Sequence, residues 1–221
     1  MGQLGIGSRE DAFSPIMVAG PWALSDTITI VSSGCDHTLV LTQSGKLFGM
    51  GSNLRRQLGK NESTIITTPV ELTEVMTAVN EKISSVYTGC DHSMLLTISG
   101  KLYTFGSNVR GQLCNRASGG FQHIPQLVTV DDAPPNAPIS QVAPGESHLI
   151  FLMRGRVYSC GSNRFGQLGR KTDLACFNKP SLVTFDYDDD DRFKRIYAGY
   201  WFNMAMINDN EAYVWGNNEN S

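Results

Sequence analysis

One stretch decides the fold of this chain: Gly89-Cys-Asp-His-Ser-Met-Leu-Leu-Thr-Ile-Ser-Gly-Lys-Leu-Tyr-Thr-Phe-Gly-Ser-Asn-Val-Arg-Gly-Gln-Leu113. Recognisable copies of it begin at Gly34 and Gly145, and a more divergent copy begins at Gly199. The four starts are 55, 56 and 54 residues apart. A nearly constant period of this length, in units rich in short apolar segments and glycine turns, is typical of a propeller or another repeat array.

Each copy contains an apolar hairpin. The predicted strand pairs are residues 38–42 and 47–50, 93–97 and 102–105, 149–153 and 157–160, and 203–207 and 212–215. Because these strands are apolar on both faces, they suit blades that are sandwiched between neighbouring blades. Asn210 takes the turn position of glycine in the fourth copy, and asparagine also accepts positive φ, so this copy is predicted to be a blade as well.

Two further strands complete each predicted four-stranded unit. The outer strand is predicted to begin at a proline, because proline cannot donate to a ladder and belongs at the start or the edge of a strand. The prolines concerned are Pro15, Pro69, Pro125 and Pro180. After a loop, the inner strand leads into the next glycine, over residues 27–31, 83–87, 139–143 and 193–197. The proline-to-glycine distance is 19 or 20 residues, so no repeat has room for an added hairpin or domain.

The two ends of the chain are in phase with the repeat. Residues 1–5 match the closing Gly-Gln-Leu-Gly of a repeat, and the next such segment would fall just beyond Ser221. We expect residues 1–5 to complete the blade that contains residues 213–215, because shared termini remove exposed sheet edges. The same phase would arise in an arc of a longer ring. The prediction is one all-β domain, residues 1–221, a β-propeller of about four blades, either closed or an arc of a larger seven-bladed ring.

These repeats resemble the regulator-of-chromosome-condensation repeat. The resemblance rests on the Gly-x-x-His opening, the hairpin ending in aromatic-x-x-Gly-x-Asn and the closing Gly-Gln-Leu-Gly, and it covers almost the whole chain. It implies one four-stranded propeller blade per repeat, usually in rings of seven. The family's founding member is a guanine-nucleotide exchange factor for the small GTPase Ran, and other members are plant ultraviolet-B photoreceptors.

The residues of the repeats argue against one of these family activities and leave the other open. Photoreceptor members carry tryptophan and arginine at the two positions after the first glycine. This chain has there Cys35-Asp36, Cys90-Asp91, Glu146-Ser147 and Tyr200-Trp201, so photoreception is not expected. The exchange factor uses a wedge in one blade and a face of its ring, and the uniform spacing here shows no wedge. Exchange activity, or regulation of a Ran-like small GTPase, is the alternative function.

Composition argues against several other classes. A formal net charge of -3 provides no global basic field, so direct binding of nucleic acid is not expected. No apolar run approaches the roughly 20 residues needed to cross a bilayer, and the first residues lack the pattern of a signal peptide, so an intracellular chain, cytoplasmic or nuclear, is expected. Five cysteines without a Cys-x-x-Cys pair predict reduced thiols and no zinc site, and no cofactor is expected.

Three histidines recur at one repeat position, at His37, His92 and His148. A residue repeated once per blade is usually a packing or hydrogen-bonding element, so the structural interpretation is favoured over a catalytic or metal-binding one. Asp36 and Asp91 precede two of them, yet neighbouring residues of a strand point to opposite faces and cannot act on one proton. No nucleophile elbow, phosphate-binding loop or His-Glu-x-x-His motif is present, so no enzyme active site is predicted.

The predicted function is protein–protein recognition by loops on a rigid scaffold. The candidate surface is an acidic rim beside an exposed Trp22, which serves either as a solvated face or as a docking site for a basic partner. Its acidic residues are Asp131, Asp132, Asp186, Asp188, Asp189, Asp190 and Asp191. An alternative face is predicted around Asp36, His37, Asp91, His92, Glu146 and His148. The asparagines Asn53, Asn108, Asn163 and Asn218 are predicted to satisfy local backbone groups at turns.

Overall fold

A computed structural model of the chain describes residues 1–22, 26–117, 119–131, 133–134, 137–172, 174–186 and 192–219. The first sheet contains β1 (Ile28–Ser33), β2 (His37–Thr42), β3 (Leu47–Ser52) and β4 (Ile65–Glu71). The second contains β5 (Ile83–Thr88), β6 (His92–Thr97), β7 (Leu102–Ser107) and β8 (Phe121–Leu127). The third contains β9 (Ile139–Pro144), β10 (His148–Met153), β11 (Arg156–Ser162) and β12 (Cys176–Leu182). The last contains β13 (Arg195–Ala198), β14 (Phe202–Met206) and β15 (Ala212–Gly216).

In every sheet the strands are hydrogen-bonded in chain order. This up-and-down order gives one antiparallel sheet per repeat, as the repeat pattern predicts. Three sheets have four strands, and the last has three among the described residues. No helix of the described residues is long and apolar enough to cross a membrane.

The chain divides into two compact units. The first comprises Met1–Ile98, Tyr103–Ser107 and Phe121–Gln126, and the second comprises Ser99–Leu102, Asn108–Gly120 and Leu127–Ser221. The first unit therefore holds β1–β4 and nearly all of β5–β8, whereas the second holds β9–β12 and β13–β15.

The cores lie around the predicted hairpins. Strands β2, β3, β6 and β10 are buried along their whole length, as their two apolar faces predict. In the first unit Leu39, Leu47 and Phe105 belong to one apolar cluster, and in the second Ile150 and Ile196 belong to another. Burial of each such side chain contributes about 1.5–3 kcal/mol.

The outer strands differ from the prediction in where their proline lies. Pro69, Pro125 and Pro180 are each the fifth residue of a seven-residue strand and not its first. The β3–β4 register shifts between Gly49 and Gly51, which pair with Val70 and Ile66, so Pro69 falls in an irregular part of the ladder. Proline is tolerated there because no ladder hydrogen bond is required of it.

A short helix replaces one predicted loop. α1 (Thr73–Val79) connects β4 with β5, and its residues Val75 and Val79 are buried in the core of the first unit. The helix is stabilised by this apolar face, since it has no side-chain N-cap hydrogen bond. Asn80 ends it in the left-handed conformation that asparagine tolerates, with φ of 49°.

The first residues of the chain dock on the first sheet as the tail of a repeat docks on the next one. The hydroxyl of Thr38 donates to the carbonyl of Gln3 (3.0 Å). One repeat later, the hydroxyl of Ser93 donates to the carbonyl of Gln57 (2.6 Å) in the same way. These contacts support the prediction that residues 1–5 are a repeat tail. Completion of the last blade by the same residues stays a prediction.

Candidate protein-recognition surface

The repeated histidines lie in the core. His37, His92 and His148 are fully buried, so their prediction as part of an exposed face is wrong. Each ring lies over the first glycine of its own repeat: a Cβ atom on Gly89 or on Gly145 would overlap the histidine ring that follows. The Gly-x-x-His spacing therefore reflects close packing, as the structural interpretation predicts.

His37 begins a hydrogen-bond relay to the next repeat. Because the single proton of Ser93 is donated to the carbonyl of Gln57 (2.6 Å), the Nε2–H of His37 donates to Ser93 Oγ (2.9 Å). Burial lowers the pKa of His37 to about 4. The imidazole is therefore neutral at physiological pH and serves as a fixed hydrogen-bond donor.

His148 has an equivalent relay in the second unit. Its Nε2–H donates to Asn203 Oδ1 (2.8 Å), and Asn203 Nδ2 donates to the carbonyl of Gln167 (2.7 Å). Burial lowers the pKa of His148, although the hydrogen bond with Asn203 and the charge of Glu146 oppose the shift. Both relays connect neighbouring repeats, and neither presents a group to a substrate.

The Asn and Gln side chains of the closing motif satisfy backbone groups. Asn53 Oδ1 accepts the amide of Leu58 (2.9 Å), and Gln57 Oε1 accepts the amide of Arg55 (2.8 Å). The third repeat makes the same contact, in which Asn163 Oδ1 accepts the amide of Leu168 (3.0 Å). In the second repeat Asn108 Oδ1 accepts the amide of Leu113 (3.1 Å), so the prediction for these turn asparagines is confirmed at Asn53, Asn108 and Asn163.

The two positions after the first glycine of each repeat differ between repeats, and in the first three repeats they lie on the turn just before the buried histidine. In the first unit a carboxylate oxygen of Asp91 lies 3.2 Å from Arg55 Nε, and both side chains are partly exposed. Asp36 is also partly exposed, and its carbonyl accepts the amide of Ser52 (2.7 Å). In contrast to the histidines, the acidic residues of the predicted alternative face therefore reach the surface. Within each unit, we call the surface formed by these turns the turn face of that unit.

The turn face of the second unit carries an aromatic cluster made of Phe165, Tyr200 and Trp201. The ring centroid of Trp201 lies 5.0 Å from that of Phe165 and 4.9 Å from that of Tyr200. Trp201 Nε1 donates to a carboxylate oxygen of Glu146 (3.1 Å), which fixes the indole. The guanidinium of Arg164 lies 6.0 Å from the Phe165 centroid. Phe165 and Tyr200 are exposed and Trp201 is half-buried, so three rings present a preformed apolar surface.

Sequence reasoning missed this cluster. Tyr200 and Trp201 served only to show that the photoreceptor pattern is absent, and Phe165, directly before the closing Gly-Gln-Leu-Gly, was not singled out. Arg55 and Phe165 occupy equivalent positions, and so do Asp91 and Trp201. An ion pair in one unit is thus replaced by an aromatic pair in the other, a signal that an alignment of the repeats contains.

Trp22 is not exposed. Its exposed fraction is 9%, and its ring packs edge-on against Phe48 with centroids 5.2 Å apart. Val18 and Met50 complete this apolar cluster. The prediction of an exposed aromatic anchor beside the acidic rim is therefore wrong, because Trp22 instead fills the outer part of the first sheet.

Of the predicted acidic rim, the structure describes Asp131 and Asp186. Asp131 forms ion pairs with Arg116 and Lys179, which reduce its charge for any partner. Asp186 is exposed, and its backbone carbonyl accepts the hydroxyl of Tyr213 (3.1 Å). Asp132, Asp188, Asp189, Asp190 and Asp191 lie outside the described residues.

Four of the five cysteines are paired, contrary to prediction. Cys35 is bonded to Cys90 across 4.6 Å between Cα atoms, and Cys114 to Cys160 across 5.6 Å. Cys176 is free. Counting cysteines along the chain missed these pairs, because the fold brings residues about one repeat apart to bonding distance. Within the described residues no three His, Cys, Asp or Glu side chains converge as a metal site.

Comparison with known proteins places these features in a family. The sequence matches the regulator of chromosome condensation (RCC1) repeat over residues 44–96, 99–152 and 154–206. It is 31% identical over 222 residues to the ultraviolet-B receptor UVR8 of Arabidopsis thaliana, covering 99% of this chain and 47% of the receptor. It is 32% identical over 155 residues to a secretion-regulating guanine nucleotide exchange factor of Bos taurus, covering 68% of this chain and 33% of that protein. The chain thus spans less than half the length of these relatives.

Solved structures support the same fold. Human WBSCR16 superposes with a TM-score of 0.73 at 22% identity, over 87% of this chain and 48% of that one. Prp20p of Saccharomyces cerevisiae superposes with a TM-score of 0.71 at 23% identity, over 89% of this chain and 47% of that one. With three repeats matched and one sheet formed per repeat, this all-β chain of four propeller blades belongs to the regulator of chromosome condensation (RCC1) repeat family.

Proposed function

We propose that the chain is a non-enzymatic scaffold for protein–protein recognition and that the aromatic cluster of Phe165, Tyr200 and Trp201 is its main contact. The observation that carries this proposal is the cluster itself: three touching rings on the surface, fixed by the Trp201–Glu146 hydrogen bond. Tyrosine, tryptophan and arginine are enriched in binding hot spots. The two aromatic residues bury a large area with little loss of conformational entropy.

The cluster suits a protein partner with an apolar anchor and a charged flank. Tyr200 and Phe165 offer apolar ring surface, while Arg164 offers a charged group at the rim. Glu146 accepts the indole N–H of Trp201, and a carboxylate has further acceptor sites that a donor from the partner can use. Such an arrangement provides both the central anchor and the polar surround of a standard interface.

The test compares partner capture by the unmodified chain with capture by Tyr200→Ala and Trp201→Ala. Truncation of a hot-spot ring costs about 2 kcal/mol, so affinity for the partner should fall roughly 30-fold. Ile98→Ala is the matched control, because Ile98 is a large apolar side chain that is 64% exposed and lies outside the cluster. An equal loss of affinity in all three variants, or no loss in any of them, would contradict the proposal that the aromatic cluster is the main contact.

Regulation of a Ran-like small GTPase is the second candidate function. It is favoured by a relative named for guanine nucleotide exchange, and by the likeness to Prp20p, a protein with binding properties to Gsp1p and histones. We expect catalytic amounts of this chain not to accelerate nucleotide release from a Ran-type GTPase. A saturable acceleration above the intrinsic rate would reverse the ranking of the two functions.

The acidic rim is the second candidate surface, for a basic partner segment. Asp186 supports it, whereas the ion pairs of Asp131 argue against a large local field. Replacing residues 188–191 with asparagine or serine should leave thermal stability nearly unchanged. Reduced salt dependence of capture in that variant would favour the rim over the aromatic cluster.

A further inference from the structure

The hairpin turn between β10 and β11 gathers three arginines. The turn consists of Arg154 and Gly155, which have φ of 53° and 74°, as a tight two-residue hairpin turn requires. Arg156 follows directly as the first residue of β11. Arg192 packs on the same turn, because a Cβ atom on Gly155 would overlap its side-chain carbons, and the amide of Phe193 donates to the carbonyl of Gly155 (2.9 Å).

A cleft of about 500 Å³ opens beside this turn and is lined by all three arginines. Arg156 and Tyr158 lie on one face of β11, because they are two residues apart, and Leu182 of β12 pairs with Tyr158. Pro134 and Met153 add further apolar wall. The volume is within the range of small-ligand sites, and the cleft combines apolar walls with a cationic end. We call it the arginine cleft.

The first sheet has an acidic residue where the arginine cleft has none. Lys46 occupies the position of Arg156 in the first repeat, and its Nζ lies 3.8 Å from a carboxylate oxygen of Glu71. Glu71 and Leu182 are equivalent, since they hold the same place in the β3–β4 and β11–β12 ladders. The third sheet therefore keeps the cation and replaces its acidic partner with an apolar side chain.

The charges of Arg154 and Arg156 are uncompensated within the described part of the chain. Neither guanidinium forms an ion pair with a described residue. Neighbouring like charges repel each other, and a bound anion removes this repulsion. Each guanidinium presents a fork of N–H donors that matches two oxygens of a phosphate group. A phosphate monoester carries about -1.5 to -2 charges at pH 7, so its charge matches that of two arginines better than a carboxylate does.

We propose that the arginine cleft binds a phosphate monoester, with Arg154 and Arg156 on the phosphate oxygens and Met153 and Leu182 against its carbon stem. The apolar walls favour an ester over inorganic phosphate, because only an ester has a stem to bury. The phosphate group belongs either to a small organic molecule or to a phosphorylated side chain of a protein partner. Both sources present the same chemistry to the cleft.

Calorimetric titration of the 221-residue chain in phosphate-free buffer of low ionic strength tests the proposal. The probe is phenyl phosphate, which should bind with a Kd below about 1 mM. Benzenesulfonate has a similar shape but a single negative charge, and inorganic phosphate has no stem, so both should bind roughly tenfold more weakly or worse. Inorganic phosphate or benzenesulfonate that binds as tightly as phenyl phosphate overturns the assignment.

A pentapeptide with a central phosphotyrosine distinguishes the two sources of the phosphate group. Tighter binding of the peptide than of phenyl phosphate supports the cleft as a site for a phosphorylated protein partner. Weaker binding supports it as a site for a small phosphorylated molecule. Equal binding of the phosphorylated and the unphosphorylated peptide overturns the proposal, because the phosphate group would then contribute nothing.

Substitution of the arginines locates the binding site. Arg154→Gln and Arg156→Gln should each weaken binding of phenyl phosphate about tenfold or more, because each removes charge-assisted hydrogen bonds to the phosphate. Arg110→Gln is the matched control, since Arg110 is a partly exposed arginine of the same unit that does not line the cleft. Thermal unfolding checks that all three variants remain folded. Equal weakening in the three variants overturns the proposal, because binding would then follow the overall charge.

The chain itself contains a competing source of negative charge. Asp188–Asp191 directly precede Arg192 in the sequence and lie outside the described residues. An unmodified chain that does not bind phenyl phosphate overturns the proposal. If replacement of residues 188–191 with asparagine then produces binding, the chain's own carboxylates are the occupant of the cleft in place of a phosphate monoester.

Discussion

Burial of the His37 imidazole should make the stability of the chain depend on pH well above the range where carboxylates titrate. The pKa of His37 is about 4 in the folded protein and about 6.5 in the unfolded chain. Between these values the unfolded chain binds a proton that the folded protein does not bind, so the free energy of unfolding falls as the pH falls. From pH 7 to pH 5 the loss amounts to about 2 kcal/mol for this one residue.

Urea unfolding at pH 7 and pH 5, followed by circular dichroism, measures this effect. The comparison is with His37→Phe, since Phe202 occupies the same position in the fourth repeat. The variant loses the hydrogen bond with Ser93 and should be less stable at pH 7. Its further loss on going to pH 5 should nevertheless be smaller than that of the unmodified chain by about 2 kcal/mol. His148 contributes in the same direction in both proteins. Equal losses in the two proteins would refute the reasoning, because His37 would then titrate alike in both states.

Three other predictions concern the packing, the hydrogen bonding and the disulfide of the repeats. Gly89→Ala should destabilise the chain by roughly 3 kcal/mol in chemical denaturation, because its Cβ would overlap the His92 ring. The control Gly45→Ala should cost about 1 kcal/mol, because Gly45 has φ of +87° but no atom lies within 4 Å of the added Cβ. Asn163→Ala should cost roughly 2 kcal/mol, because the buried amide of Leu168 loses its acceptor; a cost near zero in thermal unfolding would show that water replaces the side chain. Cys35→Ser should lower the free energy of unfolding by about 3 kcal/mol under oxidising conditions, because the disulfide with Cys90 closes a chain segment of 55 residues. It should reduce the effect of reductant only in part, because the Cys114–Cys160 bond remains.

Much of the fold follows from the period alone. The hairpin strands, their burial on both faces and their order within each sheet were predictable, because two-sided apolar strands at a constant spacing have few other ways to be covered. The boundaries of strands without this apolar pattern were harder to predict. For example, β13 begins at Arg195, two residues after its predicted start. The proline position was misjudged because a bulge, which the sequence does not signal, lets Pro69 lie inside β4.

The site was less predictable than the fold, because it depends on contacts between repeats. Trp22 was predicted to be exposed because its loop is rich in glycine and proline. In the folded sheet it packs instead against the ring of Phe48, a contact that the sequence does not indicate. The Cys35–Cys90 bond and the contact of Phe165 with Trp201 likewise join residues that are far apart in the chain. An intramolecular alignment of the repeats places such pairs at equivalent positions, yet it does not say which of them touch.

The division between constant and variable positions explains how this scaffold can acquire a specific partner. Residues that recur in the repeats, such as His37, Asn53 and Gln57, are buried and use their polar atoms to hold backbone or neighbouring repeats. Changing them destabilises the sheet, so they are poorly placed to encode recognition. The two positions after the first glycine are partly or fully exposed in the fourth repeat and change from Cys-Asp to Tyr-Trp between repeats. Because substitutions there alter the surface without disturbing the relays beneath, the chemistry of recognition can change while the blades stay the same.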